Sequence, residues 1–233
     1  MSFQVDKSVL IKSCQKLLSS AAHLEIASDE EIEKIIKKEN LKSKIEKFDA
    51  FSQWKENELN PQVFNDFAID WIFLCDLLNF SFWKDEKDFD VDFDGKVYKN
   101  YWSLPATLNK HASILVNPKF YSQISADQFD QMFNPNIPLK NERIKLMNEA
   151  GRVLINKYDG SFANFLNNFA NRSAWDFINC LINDFPSFRD YNEQSQTWFL
   201  KRAQILVADL WAASEGKFFN DSISELTIFA DYR

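Results

Sequence analysis

Phe229 and Asp231 stand two residues apart near the end of the chain, an aromatic ring beside a carboxylate. A ring of this kind can stack on a nucleobase. A carboxylate can stabilise or capture the oxocarbenium-like carbon that forms when a glycosidic bond breaks. A second group lies upstream in the run Lys201 to Trp211, which mixes two cations, one acid and an apolar stripe. Arg202 and Asp209 are about two helical turns apart and share a face. Lys201 is a cation for which a phosphate is one suitable partner. Each group also has a plainer meaning. Spacing alone favours a structural ion pair for Arg202 and Asp209. It equally favours a core ring and a terminal charge for Phe229 and Asp231.

The other motifs carry less chemistry. Asp90-x-Asp92-x-Asp94-Gly95 imitates the start of a calcium loop, but Tyr101 stands where the loop needs a bidentate Glu. Phe89, Val91 and Phe93 between the acids read better as the inward face of a hairpin. His23 and His111 lack a nearby partner for a zinc site. The four glycines are isolated, so no phosphate loop exists. Ser187, in Phe-Pro-Ser-Phe, lacks the flanking glycines of a nucleophile elbow. Phe80, Phe82, Trp83, Tyr101 and Trp102 could line a slot for a flat heterocycle, although most aromatic clusters are core.

The elements that must position these residues are mainly helical. The chain has 233 residues, enough to bury a substantial core, with only 4 Gly and 6 Pro against 23 Phe. A net charge of −7 argues against a broad nucleic-acid surface while allowing a free nucleotide or a cationic ligand. Cys14, Cys75 and Cys180 are far apart and read as reduced thiols of a cytoplasmic protein. No signal peptide or membrane span is expected.

Helices are predicted over Val5 to Leu24, from Ser28, over Val63 to Leu78, over Tyr101 to His111, from Ser125 and over Lys140 to Tyr158. Further helix is predicted over Ser161 to Phe185 with a break near Asn171, over Thr197 to Ala213, and from Ser222 onward. Ile32, Ile35, Ile36, Leu41, Ile45 and Phe48 supply an apolar face on one or two short helices. Alternation across residues 88–99 around Asp94-Gly95 predicts a β-hairpin, the one convincing β element. The simplest architecture is a single helical domain over residues 1–233.

Ordered blocks then resemble the queuosine 5′-phosphate N-glycosylase/hydrolase family, the queuosine salvage proteins. They include Glu58-Leu59-Asn60-Pro61, Leu78-Asn79-Phe80-Ser81-Phe82-Trp83, Tyr101-Trp102-Ser103-Leu104, Glu142-Arg143, Phe185 to Asp190, Lys201 to Trp211 and Phe229-Ala230-Asp231-Tyr232-Arg233. The resemblance implies a DNA-glycosylase-like helical fold. It implies hydrolysis of queuosine 5′-monophosphate, a small-molecule substrate, to queuine and ribose 5-phosphate. No metal or organic cofactor, direct nucleic-acid contact or membrane is implied, and the oligomeric state is left open. The family's catalytic Asp falls on Asp231 and its base-contacting Phe on Phe229. Lys201 and Arg202 become phosphate candidates, with Asp209 orienting Arg202. Two departures stand out. Asn57 occupies the place of a base-binding His, and it can donate and accept hydrogen bonds but carries no imidazolium charge. The family also continues well past Phe-Ala-Asp-Tyr-Arg, so the resemblance implies that a C-terminal segment is missing. The alternative reading is a truncated, non-catalytic homologue that binds a nucleotide or a partner.

Overall fold

Helix α5 is among the most deeply buried of the described elements, and the site is organised around it. The computed structural model describes residues 3–22, 27–82, 89–169 and 172–227. Before α5 come α1 (Lys7–Ser19), α2 (Asp29–Lys38), α3 (Leu41–Glu46) and α4 (Ala50–Glu56). The α5 helix itself spans Asp66–Leu77, capped by Asn65, and buries every residue from Trp71 to Leu77. Apart from Asp66, Asp70 and Asp76 its residues are apolar, which is the pattern of a core helix.

A hairpin follows, β1 (Asp90–Phe93) with β2 (Lys96–Lys99), paired antiparallel with Phe93 opposite Lys96. Asp94 and Gly95 form the turn at φ 51° and 72°, the left-handed conformations that such a tight turn demands. Phe89 and Val91 are buried and Phe93 half-buried, so the rings between the acids face inward.

The chain then runs through a 3₁₀ turn (Asn100–Trp102), α6 (Ser103–Lys110), α7 (Ala112–Leu115), α8 (Pro118–Tyr121), α9 (Ala126–Met132), α10 (Lys140–Lys157), α11 (Phe162–Asn167) and α12 (Ala174–Asp184). Ser28 and Ser125 form full capping boxes with Glu31 and Gln128, as their spacing predicts. Asp70 on α5 caps α11, accepting from the Phe162 and Ala163 amides at 2.5 and 3.3 Å. Phe73 stacks on Phe162 at 4.0 Å and meets Phe185 at 5.2 Å, so the phenylalanines knit α5, α11 and the end of α12 into one core.

Two elements differ markedly from the sequence expectation, and one apolar face lies open. A second antiparallel ladder, β3 (Tyr191–Asn192) with β4 (Thr197–Trp198), precedes α13 (Lys201–Ala213), so that helix starts four residues later than predicted. Leu200, at φ 51°, turns the chain from strand into helix. Beyond Ser222 the described residues form a 3₁₀ turn, Ile223–Glu225. Finally, the apolar face of α2 and α3 exists but is not buried: Ile35 is 53% and Ile45 72% exposed. No helix among the described residues is long and apolar enough to cross a membrane.

Candidate active site

Two hollows open on either side of Tyr101. The first, about 420 Å³, is walled by Asn79 to Phe82, Tyr101, Asp190, Phe199, Lys201, Arg202 and Ile205. The second, about 400 Å³, is walled by rings (Trp54, Trp71, Tyr101, Trp102 and Trp211) together with Asn57, Cys75 and Asp209. Both volumes are of the size that small-molecule sites use, roughly 300–1,000 Å³. Tyr101 lies edge-on to Phe82 at 5.4 Å and to Trp102 at 5.0 Å, which fixes the shared wall.

The Asn79 to Phe82 segment has no regular structure, and two arginines hold it in place. Arg143, fully buried on α10, donates from Nε to the Pro138 carbonyl at 2.9 Å and from Nη1 to the Leu78 carbonyl at 2.5 Å. Its Nη2 donates to the carbonyls of Phe80 and Ser81. Arg202 donates from Nη1 to the Leu77 carbonyl at 2.9 Å. Both guanidinium groups lie over the Phe80 ring, 4.3 Å from its centroid for Arg143 and 5.1 Å for Arg202. A guanidinium over a ring face is attracted by the ring's quadrupole, so the loop is clamped through both backbone and side chain.

Asp209 does not orient Arg202. The Arg202 Nε and Nη2 groups donate to Asp190 Oδ1 at 3.2 and 2.8 Å, and Nη2 also donates to the Ser187 carbonyl. The physical reason is direction. Helical side chains lean back towards the N-terminus, so Arg202 reaches the turn before α13, whereas Asp209 lies about 10 Å further along the axis. Asp190, at φ 41°, also accepts the Arg202 backbone amide at 3.0 Å. Lys201 borders the same hollow at the first position of α13.

Asn57 ends α4 and borders the second hollow. Its Oδ1 accepts the Leu59 amide at 3.0 Å, which leaves the NH₂ group to donate. The turn that carries it is braced: Asn109 donates to the Leu59 carbonyl at 2.8 Å, and Glu58 accepts from Lys96 at 2.5 Å and Tyr98 at 2.6 Å on the hairpin.

A cluster of acids and near-neutral groups lies behind this wall. Asp76 is 1% exposed, with the Asn79 side chain beside its carboxyl. Burial, and then the negative charge of Asp209, push its pKa far above the carboxylate range, while the Asn79 side chain and then Arg202 only partly oppose this. Asp209 is half-buried, and desolvation pushes it up to about 7. Burial likewise raises Cys75 and Tyr101, with the two carboxylates adding to the effect.

Phe229 and Asp231 lie outside the described residues, as does Trp83. The chain leading to them is tied to α13, where Gln204 Oε1 accepts from the Thr227 amide at 2.8 Å and its hydroxyl at 3.1 Å. Among residues without an assigned role in the sequence reading, Arg143, Asp190 and Asp76 matter most. The first two sit inside the family-like blocks. The only sequence signal of Asp76 is an acid placed within a strongly apolar helix.

Comparison with known proteins shows the family. A family model described as queuosine salvage protein matches residues 59–233. The queuosine 5′-phosphate N-glycosylase/hydrolase of Schizosaccharomyces pombe is 40% identical over 206 residues, covering 78% of this chain and 59% of the relative. The proteins of that name from Mus musculus and Bos taurus are 39% and 38% identical, covering 78% and 77% of this chain and 57% of each relative. The chain thus spans under three-fifths of the length of these curated relatives.

Proposed function

The chain belongs to the queuosine salvage protein family, and from that premise we propose that it hydrolyses the N-glycosidic bond of queuosine 5′-monophosphate, releasing queuine. The observation that carries this reading is the pair of hollows sharing Tyr101, one bordered by Lys201 and the other by rings, Asn57 and Asp209. A nucleotide has the matching polarity, an anionic phosphate at one end and a flat base at the other.

Lys201 meets the 5′-phosphate, at the N-terminal end of α13 where backbone amides favour anions. Arg202 adds positive charge from behind, since most of its donors are engaged by Asp190, Ser187 and Leu77. Phe229 stacks on the base and Asn57 donates to its edge. Asp231 stabilises or captures the oxocarbenium-like sugar carbon, where a carboxylate acts most strongly in a water-poor site. The docking of Thr227 on Gln204 supports this assignment, because it holds the approach to Phe229 and Asp231 against the helix that carries Lys201.

Chromatography of queuosine 5′-monophosphate and of queuosine, each incubated with the protein, tests the reading. Queuine and ribose 5-phosphate should appear from the nucleotide, faster than queuine from the nucleoside. No queuine from either substrate would refute the assignment and leave a non-catalytic binder.

A further inference from the structure

We propose that Asp209 is the acid that protonates the departing base, with Asp76 behind it as a second carboxyl that stays protonated. This rests on the hydrolase reading and adds the proton that reading lacks. The leaving base is a 7-deazapurine and has no N7 to accept a proton, so another edge of the ring must be served from the pocket wall.

Asp209 borders the ring-lined hollow beside Asn57, Tyr101 and Trp102, on the wall a base would meet. It accepts no hydrogen bond from the described residues. Directly behind, α5 packs on α13 and brings Asp76 within electrostatic reach. Asp76 is closed off from solvent, and its burial together with the Asp209 charge outweighs the help its carboxyl draws from the Asn79 side chain and Arg202, so ionising it is costly. That leaves Asp209 as the carboxyl of the pair that changes charge near neutrality.

The groups facing it keep that balance. Cys75 and Asp76 on α5 and Tyr101 beyond α5 are all pushed towards their neutral forms, and α4 presents the uncharged Trp54 and Asn57. Arg202, the nearby cation on α13 itself, is turned away and paired with Asp190. Burial holds Asp209 at about 7, which matches an acid working near neutral pH.

The step balances as follows. The bond from C1′ to the base nitrogen breaks and its electron pair goes to the base. The Asp209 O–H gives its proton to the base and becomes a carboxylate. Water adds to C1′, directly or after capture by Asp231, and the proton it loses restores Asp209.

The experiment is a pH–rate profile of queuine release by the wild type and Asp209→Asn, with calorimetry of nucleotide binding alongside. The wild type should lose kcat as pH rises through about 7. Asp209→Asn should bind the nucleotide but turn over ~100-fold or more slowly, and its residual rate should show no fall on the alkaline side. Infrared difference spectra across the same pH range should show a carboxyl band that titrates in the wild type and in Asp76→Asn, and is missing in Asp209→Asn. Release by the wild type with Asp209→Asn equally fast, or changed in KM alone, overturns the donor while sparing the hydrolase. No release by the wild type at any pH overturns both.

Discussion

Two guanidinium groups lie over the Phe80 ring because Arg143 binds the backbone of its turn and Arg202 binds the Leu77 carbonyl at the end of α5. The two cations of the family-like block at α13 therefore divide their work. Lys201→Ala should raise KM for the 5′-phosphate by ~10-fold or more, the scale of one hydrogen bond to a charged group, with little change for the nucleoside. Arg202→Ala should instead destabilise the fold by roughly 3–5 kcal/mol, since it strands Asp190, whose side chain is 19% exposed. Denaturant melts of both variants separate the two outcomes. Phe229→Ala should weaken nucleotide binding by roughly 1–3 kcal/mol if the ring stacks on the base, as calorimetry would record. Residue types and spacing marked Lys201, Arg202 and Asp209 but not their partners. A shared helical face is a statement about azimuth, and it says nothing of Asp190, which arrives through a left-handed turn.

Close helix packing shows where elements depend on single positions. A Cβ added at Gly151 on α10 would lie 2.7 Å from the Ser122 Cα at the end of α8. Gly151→Ala should therefore cost roughly 1–3 kcal/mol in thermal or chemical unfolding, despite the helix propensity it gains. The best-marked helix ends were legible in advance because caps are local: Ser28 and Ser125 start their helices, and Asp159-Gly160 stops α10, where the pattern puts them. The β3–β4 ladder was not. Two-residue strands offer no alternation to read, and Thr197 and Trp198 look like the start of the helix that follows. What holds this ladder is remote in sequence: Ser13 on α1 bonds the Trp198 backbone in both directions at 3.3 Å.

At the scale of the whole molecule, charge sets a pH window. Asp70, held at about 6 by burial, and Asp209, at about 7, have folded pKa values above those of the unfolded chain. Their contribution is fully present below the ordinary carboxylate range and is lost as pH rises through 6 and 7. Asp6, Glu31, Asp49 and Glu58 are shifted down by hydrogen bonds, so their contribution runs the other way and is lost as pH falls below that range. These four are exposed and count for little. Melting temperature should therefore fall between mildly acidic and mildly alkaline buffer, and Asp70→Asn should flatten part of that fall. Burial of this kind was illegible in the sequence: an acid inside an apolar helix marks Asp76 as unusual, but only the packing of α5 on α13 gives it Asp209 as a neighbour. The apolar stripe of α2 shows the converse, since periodicity was read correctly and burial does not follow from it. The central claim is that this chain breaks an N-glycosidic bond with the Asp231 carboxylate. Its most direct test is the rate of queuine release from queuosine 5′-monophosphate by the wild type and by Asp231→Asn, with circular dichroism confirming that both are folded. The account predicts release by the wild type and none by the variant; an equal rate in the two would contradict it.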